Sequence, residues 1–335
     1  MNKVISDDMQ KENTALSKKE LNSHRWLMRA LIRAASVIVC VVIAVFFLIR
    51  IVPGDPVKMI LGQYSTPEAI ASMHHSLGLD LPLWEQFVRF LKNIIFYGDT
   101  GKSITYGVST RELILKSAPI TLLLILMAML ITIIAALLLA LLAATHKDGI
   151  LDHVIRVLPA VTLGMPVFWV GLLLILIFSV HFGWFPVGGV GKGIGGTLYS
   201  LILPAVTVAF SQIPSLVRSL RAQLLEVLES EFVTTLKAAQ IPNRVILLKH
   251  VLRNSALPTI MLLGVNVSYL IGGTLVVEQV FDIKGIGSLL FTAISNRDFP
   301  VIQGVALYCA VSVVIISFLI ELISRWLDPR TTGEG

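Results

Sequence analysis

Charged residues are scarce in this 335-residue chain: they make up 14% of it, whereas 55% of the residues are hydrophobic. A soluble domain has about 25% charged residues, so this scarcity excludes a soluble globular protein. Uninterrupted apolar runs of ~20 residues, long enough to cross a bilayer as helices, indicate a helical membrane protein instead. Cysteine is nearly absent too. Cys40 and Cys309 both lie inside apolar runs, which argues against a disulfide framework and against a metal site.

Motifs for catalysis and nucleotide binding are also missing. No HExxH, no intramembrane Ser/His pair and no aspartate pair occurs, so a membrane-embedded enzyme is unsupported. The GDTGKS stretch at Gly98–Ser103 ends like a phosphate loop, but Phe96 stands where that loop needs its first glycine. Gly191, Gly193 and Gly196 match GxGxxG without the preceding strand that a dinucleotide site requires. The sequence therefore predicts neither an enzyme nor a nucleotide site.

Charges are nearly absent from the centres of the apolar runs. Each would cost about 2.5–3.5 kcal/mol there, and carriers driven by protons or sodium retain a few of them. A transporter of this composition must therefore obtain its energy from another protein. The net charge of +6 does not indicate nucleic-acid binding, because the basic residues cluster at the ends of the runs.

The apolar runs predict an all-α polytopic membrane protein with six transmembrane helices. We place the spans at residues 34–52, 118–145, 157–180, 198–217, 256–277 and 301–320. Basic residues concentrate in the N-terminal tail (1–29), the turn 146–156, the segment 218–255 and the C-terminal tail, all on one side of such a bundle. The positive-inside rule makes this side, with both termini, cytoplasmic. The long stretch 53–117 is then external, since loops of that length translocate largely regardless of charge.

One cytoplasmic stretch, Ser230–Pro258, combines basic residues with helical periodicity, and we call it the lever. Its apolar residues fall on two predicted helical faces, separated by Pro242. The first face consists of Phe232, Leu236 and Ala239, and the second of Val245, Leu248, Val251 and Leu252. The pattern predicts a helix, a sharp bend and a second helix. Such a segment is suited to docking in a groove of a partner protein.

A set of short motifs resembles one family of membrane proteins along the chain from about Arg29 onward. The motifs are PGDP (53–56), LGLDLPL (77–83), GDTGKS (98–103), PVFWVGLLL (166–174), GWFPVGG (183–189), LPAVT (203–207), VVEQVF (276–281), NRDFPVIQG (296–304) and DPR (328–330). In number, order and spacing they resemble the integral permease subunits of bacterial ABC importers of the dipeptide/oligopeptide/nickel type. The resemblance implies a type I ABC importer-like core, with residues 30–335 as the transmembrane permease domain.

By this resemblance, a coupling helix within Glu231–Arg244 docks into a groove of an ATPase subunit. The residues expected to make this contact are Glu231, Phe232, Thr235, Leu236, Ala238, Ala239, Gln240, Pro242 and Arg244. The sequence departs from the family pattern at two positions. Gln240 stands where glycine is usual, and Lys284 stands where proline is usual before Gly285.

The resemblance also implies a set of partners and a mechanism. We expect a second homologous permease subunit, two cytoplasmic ATPase subunits, an external substrate-binding protein and the lipid bilayer of a bacterial inner membrane. No cofactor is expected in this chain, with ATP and Mg bound by the ATPase subunits. Alternating access would move di/oligopeptides, nickel chelates or glutathione-type peptides. From polarity alone, Asn266, Ser268 and Glu278 are candidates for the translocation path. A different class remains open: an ATP-independent channel or facilitator whose cytoplasmic loop binds a regulator.

Overall fold

The computed structural model describes residues 28–47, 56–62 and 65–327, and in these residues helices are joined by turns and loops, with one isolated β-bridge between Lys102 and Ser109. The predicted N-terminal tail and the DPR motif lie outside the described residues, as do residues 53–55 of PGDP. The helices are α1 Met28–Phe47, α2 Pro56–Leu61, α3 Pro67–Leu77, α4 Leu83–Lys92, α5 Thr110–Thr145, α6 Ile150–Leu163, α7 Val167–Leu174, α8 Gly193–Ser200, α9 Ile202–Leu228, α10 Glu231–Ala238, α11 Asn243–Val245, α12 Leu252–Val280, α13 Ile286–Ser295 and α14 Phe299–Leu327. π-helical turns extend α4 to Tyr97, α7 to His181 and α11 to Val251.

Four stretches are long and apolar enough to cross a membrane: α1, α5, α8 together with α9, and α14. The two halves of α12, bent by 55° between Met261–Val267 and Gly272–Val280, provide a fifth. These helices agree with an all-α membrane protein. The count of six spans and the cytoplasmic position of the termini stay predictions.

The third predicted span, 157–180, is not one helix. The chain leaves α6 at Leu163 and starts α7 at Val167, on either side of Pro166. A proline has no N–H to continue the helical ladder and disfavours helical geometry at the preceding residue, so the break falls here. Three other predicted spans lie on helices that extend further: α5 begins before residue 118, α9 continues beyond residue 217, and α12 begins before residue 256 and ends after residue 277.

The central core lies where α5, α7, α9 and α12 meet. α5 packs along α9, and α9 packs along α12. Small residues allow close approach: a Cβ on Gly171 of α7 would lie 3.2 Å from Phe281 and 3.3 Å from Thr207. A second layer, made by α13 and α14, closes over α5 through Ile114, Ile286 and Val301.

At the opposite end of the bundle from the lever, α1 and α4 pack together through Val42, Phe46 and Phe90. The amide of Gln303 on α14 donates to the carbonyl of Val45, 2.7 Å away, and holds α1 against α14. Upstream of α4, α3 has a side-chain cap at its start. Thr66 caps α3 by accepting a hydrogen bond from Ala69 N at 3.2 Å.

Candidate functional site

The residues predicted to contact an ATPase form a continuous accessible surface on the lever. Eight of the nine are exposed and the ninth, Leu236, is half-buried. The exposed ones are Glu231, Phe232, Thr235, Ala238, Ala239, Gln240, Pro242 and Arg244. We call these nine residues the coupling surface. Phe232 is the large aromatic side chain on this surface and is 41% exposed.

The residue that anchors α10 to the bundle is Val233, which sequence reasoning missed. Val233 is 0% exposed, whereas Phe232 is 41% exposed, so the buried side of α10 is formed by a residue outside the predicted apolar face of Phe232, Leu236 and Ala239. Val233 packs in a cluster with Ala140 and Ala144 of α5, Leu220 and Leu224 of α9, and Ile246 and Val251. Val233 and Leu236 are three residues apart, a spacing that places both on one side of a helix. This spacing was the feature of the sequence from which the buried side of α10 could have been predicted.

The residues of the second predicted face do not all lie on the same side of the lever: some are buried and others are exposed. Val251 is buried, but Val245 and Leu248 are exposed, and Ile246 takes the inward position instead. The reason is local geometry. The chain passes through a π-helical turn at Ile246–Val251, and the wider turn shifts which side chains point to the bundle.

The bend between the two helices is a Schellman motif centred on Gln240. Gln240 has φ 59°, in the left-handed region that glycine favours. The N–H of Ile241 donates to Leu236 O at 3.2 Å, and the N–H of Gln240 donates to Lys237 O at 3.0 Å. Ile241 and Leu236 are also apolar partners in the Val233 cluster. Glycine adopts this backbone conformation most readily, and this chain forms the motif with glutamine.

Pro242 follows the motif and starts the second helix. Its carbonyl accepts the N–H of Val245 at 2.9 Å and that of Ile246 at 3.1 Å. Proline suits this place since its fixed φ, here −58°, is compatible with the first helical turn and no N–H is required. The predicted arrangement of helix, sharp bend and helix is therefore confirmed.

The exposed face of the lever is mainly basic. Glu231 lies in the first turn of α10, where its negative charge complements the helix dipole. Four exposed cations follow it: Lys237, Arg244, Lys249 and Arg253. The surface therefore suits a groove with an acidic rim.

A buried ion pair lies behind the lever. The guanidinium of Arg221 on α9 holds the carboxylate of Asp152 on α6 with two hydrogen bonds, of 2.6 and 2.7 Å. The backbone N–H of Asp148 adds a third bond at 3.1 Å. Hydrogen bonding to Arg221 lowers the pKa of Asp152 to about 2, so the carboxylate is ionised throughout the physiological range. Asp152 is 0% exposed, and its spacing gave no signal of this partner.

A second ion pair at the same junction is exposed. Lys147, in the turn after α5, donates to Glu229 at the end of α9 over 2.5 Å. The hydrogen bond lowers the pKa of Glu229 and raises that of Lys147. Exposed pairs of this kind contribute little to stability, because water and salt screen them.

The three residues proposed for the path occupy different environments along α12. Asn266 is half-buried, and its amide donates to the hydroxyl of Ser215 on α9 at 3.4 Å. Ser268 lies on α12, but its side chain falls outside the described residues. Polarity alone could not tell whether such residues face a path or a neighbouring helix.

Glu278 caps another helix instead of facing an open space. It is 0% exposed and accepts hydrogen bonds from Thr121 Oγ1 at 2.6 Å and from the backbone N–H of Ser288 at 3.0 Å. Any side chain on Gly285 would collide, since its Cβ would lie 2.4 Å from Glu278 Oε1. Lys284, the second departure from the family pattern, is exposed just before it. This geometry supports a structural role for Glu278.

The GDTGKS stretch contacts a carboxylate of this same chain, that of Asp298. The carboxylate of Asp298 accepts hydrogen bonds from Ser103 Oγ at 2.5 Å and from the backbone N–H groups of Ile104 and Thr105, both at 3.1 Å. Thr100 Oγ1 donates to Pro300 O at 2.7 Å beside it. Two of the family motifs, GDTGKS and NRDFPVIQG, are therefore a single clasp between the start of α5 and the start of α14.

Comparison with known proteins identifies two family models along the chain. Residues 136–333 match the binding-protein-dependent transport system inner membrane component, and residues 23–124 match its N-terminal region. The di/tripeptide transport system permease protein DppB of Pseudomonas aeruginosa is 33% identical, over 87% of this chain and 93% of its own length. The oligopeptide transport system permease protein AppB of Bacillus subtilis is 31% identical, over 91% of this chain and 98% of its own length. A probable peptide ABC transporter permease of Sinorhizobium fredii is 32% identical, also over 91% and 98%.

Proposed function

Since the chain belongs to the family of binding-protein-dependent transport system inner membrane components, we propose that it forms the path by which short peptides enter a bacterial cell. Membership makes it a permease subunit of a binding-protein-dependent importer, not an enzyme. Relatives named for di/tripeptide and oligopeptide transport support peptides as the cargo, in preference to nickel chelates or glutathione-type peptides.

The full complex contains this chain, a second homologous permease subunit, two ATPase subunits and an external binding protein. ATP and Mg are bound by the ATPase subunits. The chain crosses the inner membrane six times with both termini and the lever in the cytoplasm, which the distribution of basic residues supports. The binding protein delivers peptide from the opposite side.

The observation that carries this proposal is the construction of the lever. A short helix, α10, presents an exposed apolar and basic surface, while Val233 on its inner side is completely buried between α5 and α9. A partner that binds the coupling surface therefore acts on two membrane-crossing helices through one rigid contact, because a packed core transmits displacement. Closure of the ATPase pair upon ATP binding moves these helices, and the path opens to one side at a time.

Reconstitution tests the proposal against the channel alternative. Proteoliposomes that contain the complete complex, with the binding protein on its substrate side, should accumulate radiolabelled peptides only when ATP is supplied on the lever side. A non-hydrolysable ATP analogue serves as the control and should give no accumulation. Uptake that proceeds equally without ATP would contradict the importer mechanism and favour a facilitator.

A further inference from the structure

We propose that the buried Asp152–Arg221 ion pair is a positioning element of the transport cycle: it makes α6 move together with the lever. The inference rests on the proposed function and deepens it. It concerns residues on α6 and α9 that lie outside the coupling surface.

The first step is the rigidity of the lever's support. Val233 is buried against Ala140 of α5 and Leu224 of α9, so α10 follows both helices. From Arg221, α9 continues unbroken to Leu228, about 10 Å further at 1.5 Å per residue, and a short turn then leads into α10. A displacement of α10 therefore displaces Arg221.

The second step is the attachment of α6. Its N-terminus follows α5 through a short turn in which Asp148 has φ 62°, and it touches α9 through the buried Ile155. An apolar contact can slide, whereas the planar guanidinium of Arg221 and both oxygens of Asp152 fix distance and direction together. The ion pair is the directional link between α6 and the lever's support.

The third step is the reason for an ion pair at a buried position. Apolar residues of similar volume commonly stabilise such a site as well or better, so stability alone does not explain it. α6 leads through the break at Pro166 into α7, which packs on α9 and α12 in the central core. Fixing α6 to α9 therefore carries the lever's movement to a second group of helices.

The test measures peptide taken up per ATP hydrolysed by the complete complex in proteoliposomes, with peptides from a proteolytic digest of radiolabelled protein as the probe. In Asp152→Asn the shape is kept and the charge is lost, and we expect the ratio to fall about tenfold while ATP hydrolysis continues. Arg221→Lys keeps the charge but loses the planar fork, and its ratio should fall by a smaller factor.

Two further variants separate positioning from folding. The double variant Asp152→Leu with Arg221→Met fills the site with apolar atoms, so it should keep the thermal stability of the wild type yet remain uncoupled. Lys147→Ala, which removes the exposed pair with Glu229 at the same junction, is the matched control and should couple normally. A double variant that is stable and fully coupled would overturn the ion-pair proposal.

The outcomes also distinguish this inference from the proposed function. If the wild-type complex transports peptide with ATP and all Asp152 and Arg221 variants show its ratio, only the ion-pair proposal fails. If the wild type transports no peptide with ATP, the proposed function itself fails, and the inference fails with it.

Discussion

Replacement of Val233 by alanine should loosen the lever without changing its exposed surface. Val233 is 0% exposed in its cluster with Ala140, Leu224 and Ile246. The change removes two methyl groups, each worth about 0.8 kcal/mol, and the cavity left behind adds to the loss. We expect the docked position of α10 to lose about 2 kcal/mol. That free energy corresponds to a roughly 30-fold larger population of the undocked lever.

Hydrogen exchange of the α10 backbone amides measures this population directly. In Val233→Ala, these amides should exchange about 30-fold faster than in the wild type, whereas amides in the middle of α5 should be unaffected. Phe232→Ala is the matched control, because Phe232 is the adjacent residue and is 41% exposed. It should leave exchange unchanged but weaken binding of the ATPase subunits. Faster exchange in Phe232→Ala and normal exchange in Val233→Ala would refute the assignment of anchor and contact.

Three further predictions follow from the same geometry. Gln240→Gly should slow exchange in α10 about fivefold, because relief of the left-handed strain at φ 59° stabilises the bend by about 1 kcal/mol, while Gln240→Ala should give no such gain. The pKa of Asp152 is lowered from 3.8 to about 2, so its pair with Arg221 contributes stability above pH 3.8 and loses it as the pH falls towards 2. Exchange in α6, corrected for its intrinsic pH dependence, should therefore stay constant between about pH 5 and 8 and rise only under stronger acid; a change near neutral pH would contradict this. Asp298→Ala should release the GDTGKS stretch at a cost of about 2 kcal/mol and expose it to protease. Asp298→Asn should give a smaller effect, and equal cleavage of the wild type and both variants would refute the clasp.

Local signals in the sequence were sufficient for the elements that local chemistry determines. The bend at Pro242 depends on residues within one helical turn, and the structure contains it. The break at Pro166 was not predicted, since residues 157–180 were expected to form one span. The apolar run continues across Pro166, so hydropathy alone did not show that α6 and α7 are separate helices.

The inner side of the lever could not be read from periodicity. Phe232, Val233 and Leu236 are all apolar, so two overlapping helical faces fit the sequence equally well. The partners that select Val233 come from α5 and α9, far away along the chain. The π-helical turn after Val245 changes the period again and places Ile246, not Leu248, on the buried side.

Long-range polar partners were beyond sequence reasoning for a related reason. Asp152 and Arg221 are 69 residues apart, and Asp298 and Ser103 are 195 residues apart. Spacing carries no signal over such distances when only one sequence is considered. The family motifs did include Ser103 and Asp298, but the motif pattern alone does not reveal that GDTGKS and NRDFPVIQG touch.

Photo-cross-linking from the coupling surface tests the central claim most directly. A benzophenone amino acid at Phe232, introduced into the complex in its native membrane, should form an adduct whose partner is an ATPase subunit. The same probe at Leu130, an exposed position on the membrane-crossing part of α5, is the control and should give no such adduct. An ATPase adduct from Phe232 alone would establish the lever as the contact through which ATP drives this permease. A Phe232 probe that reacts efficiently with some other protein, and never with an ATPase, would contradict the account.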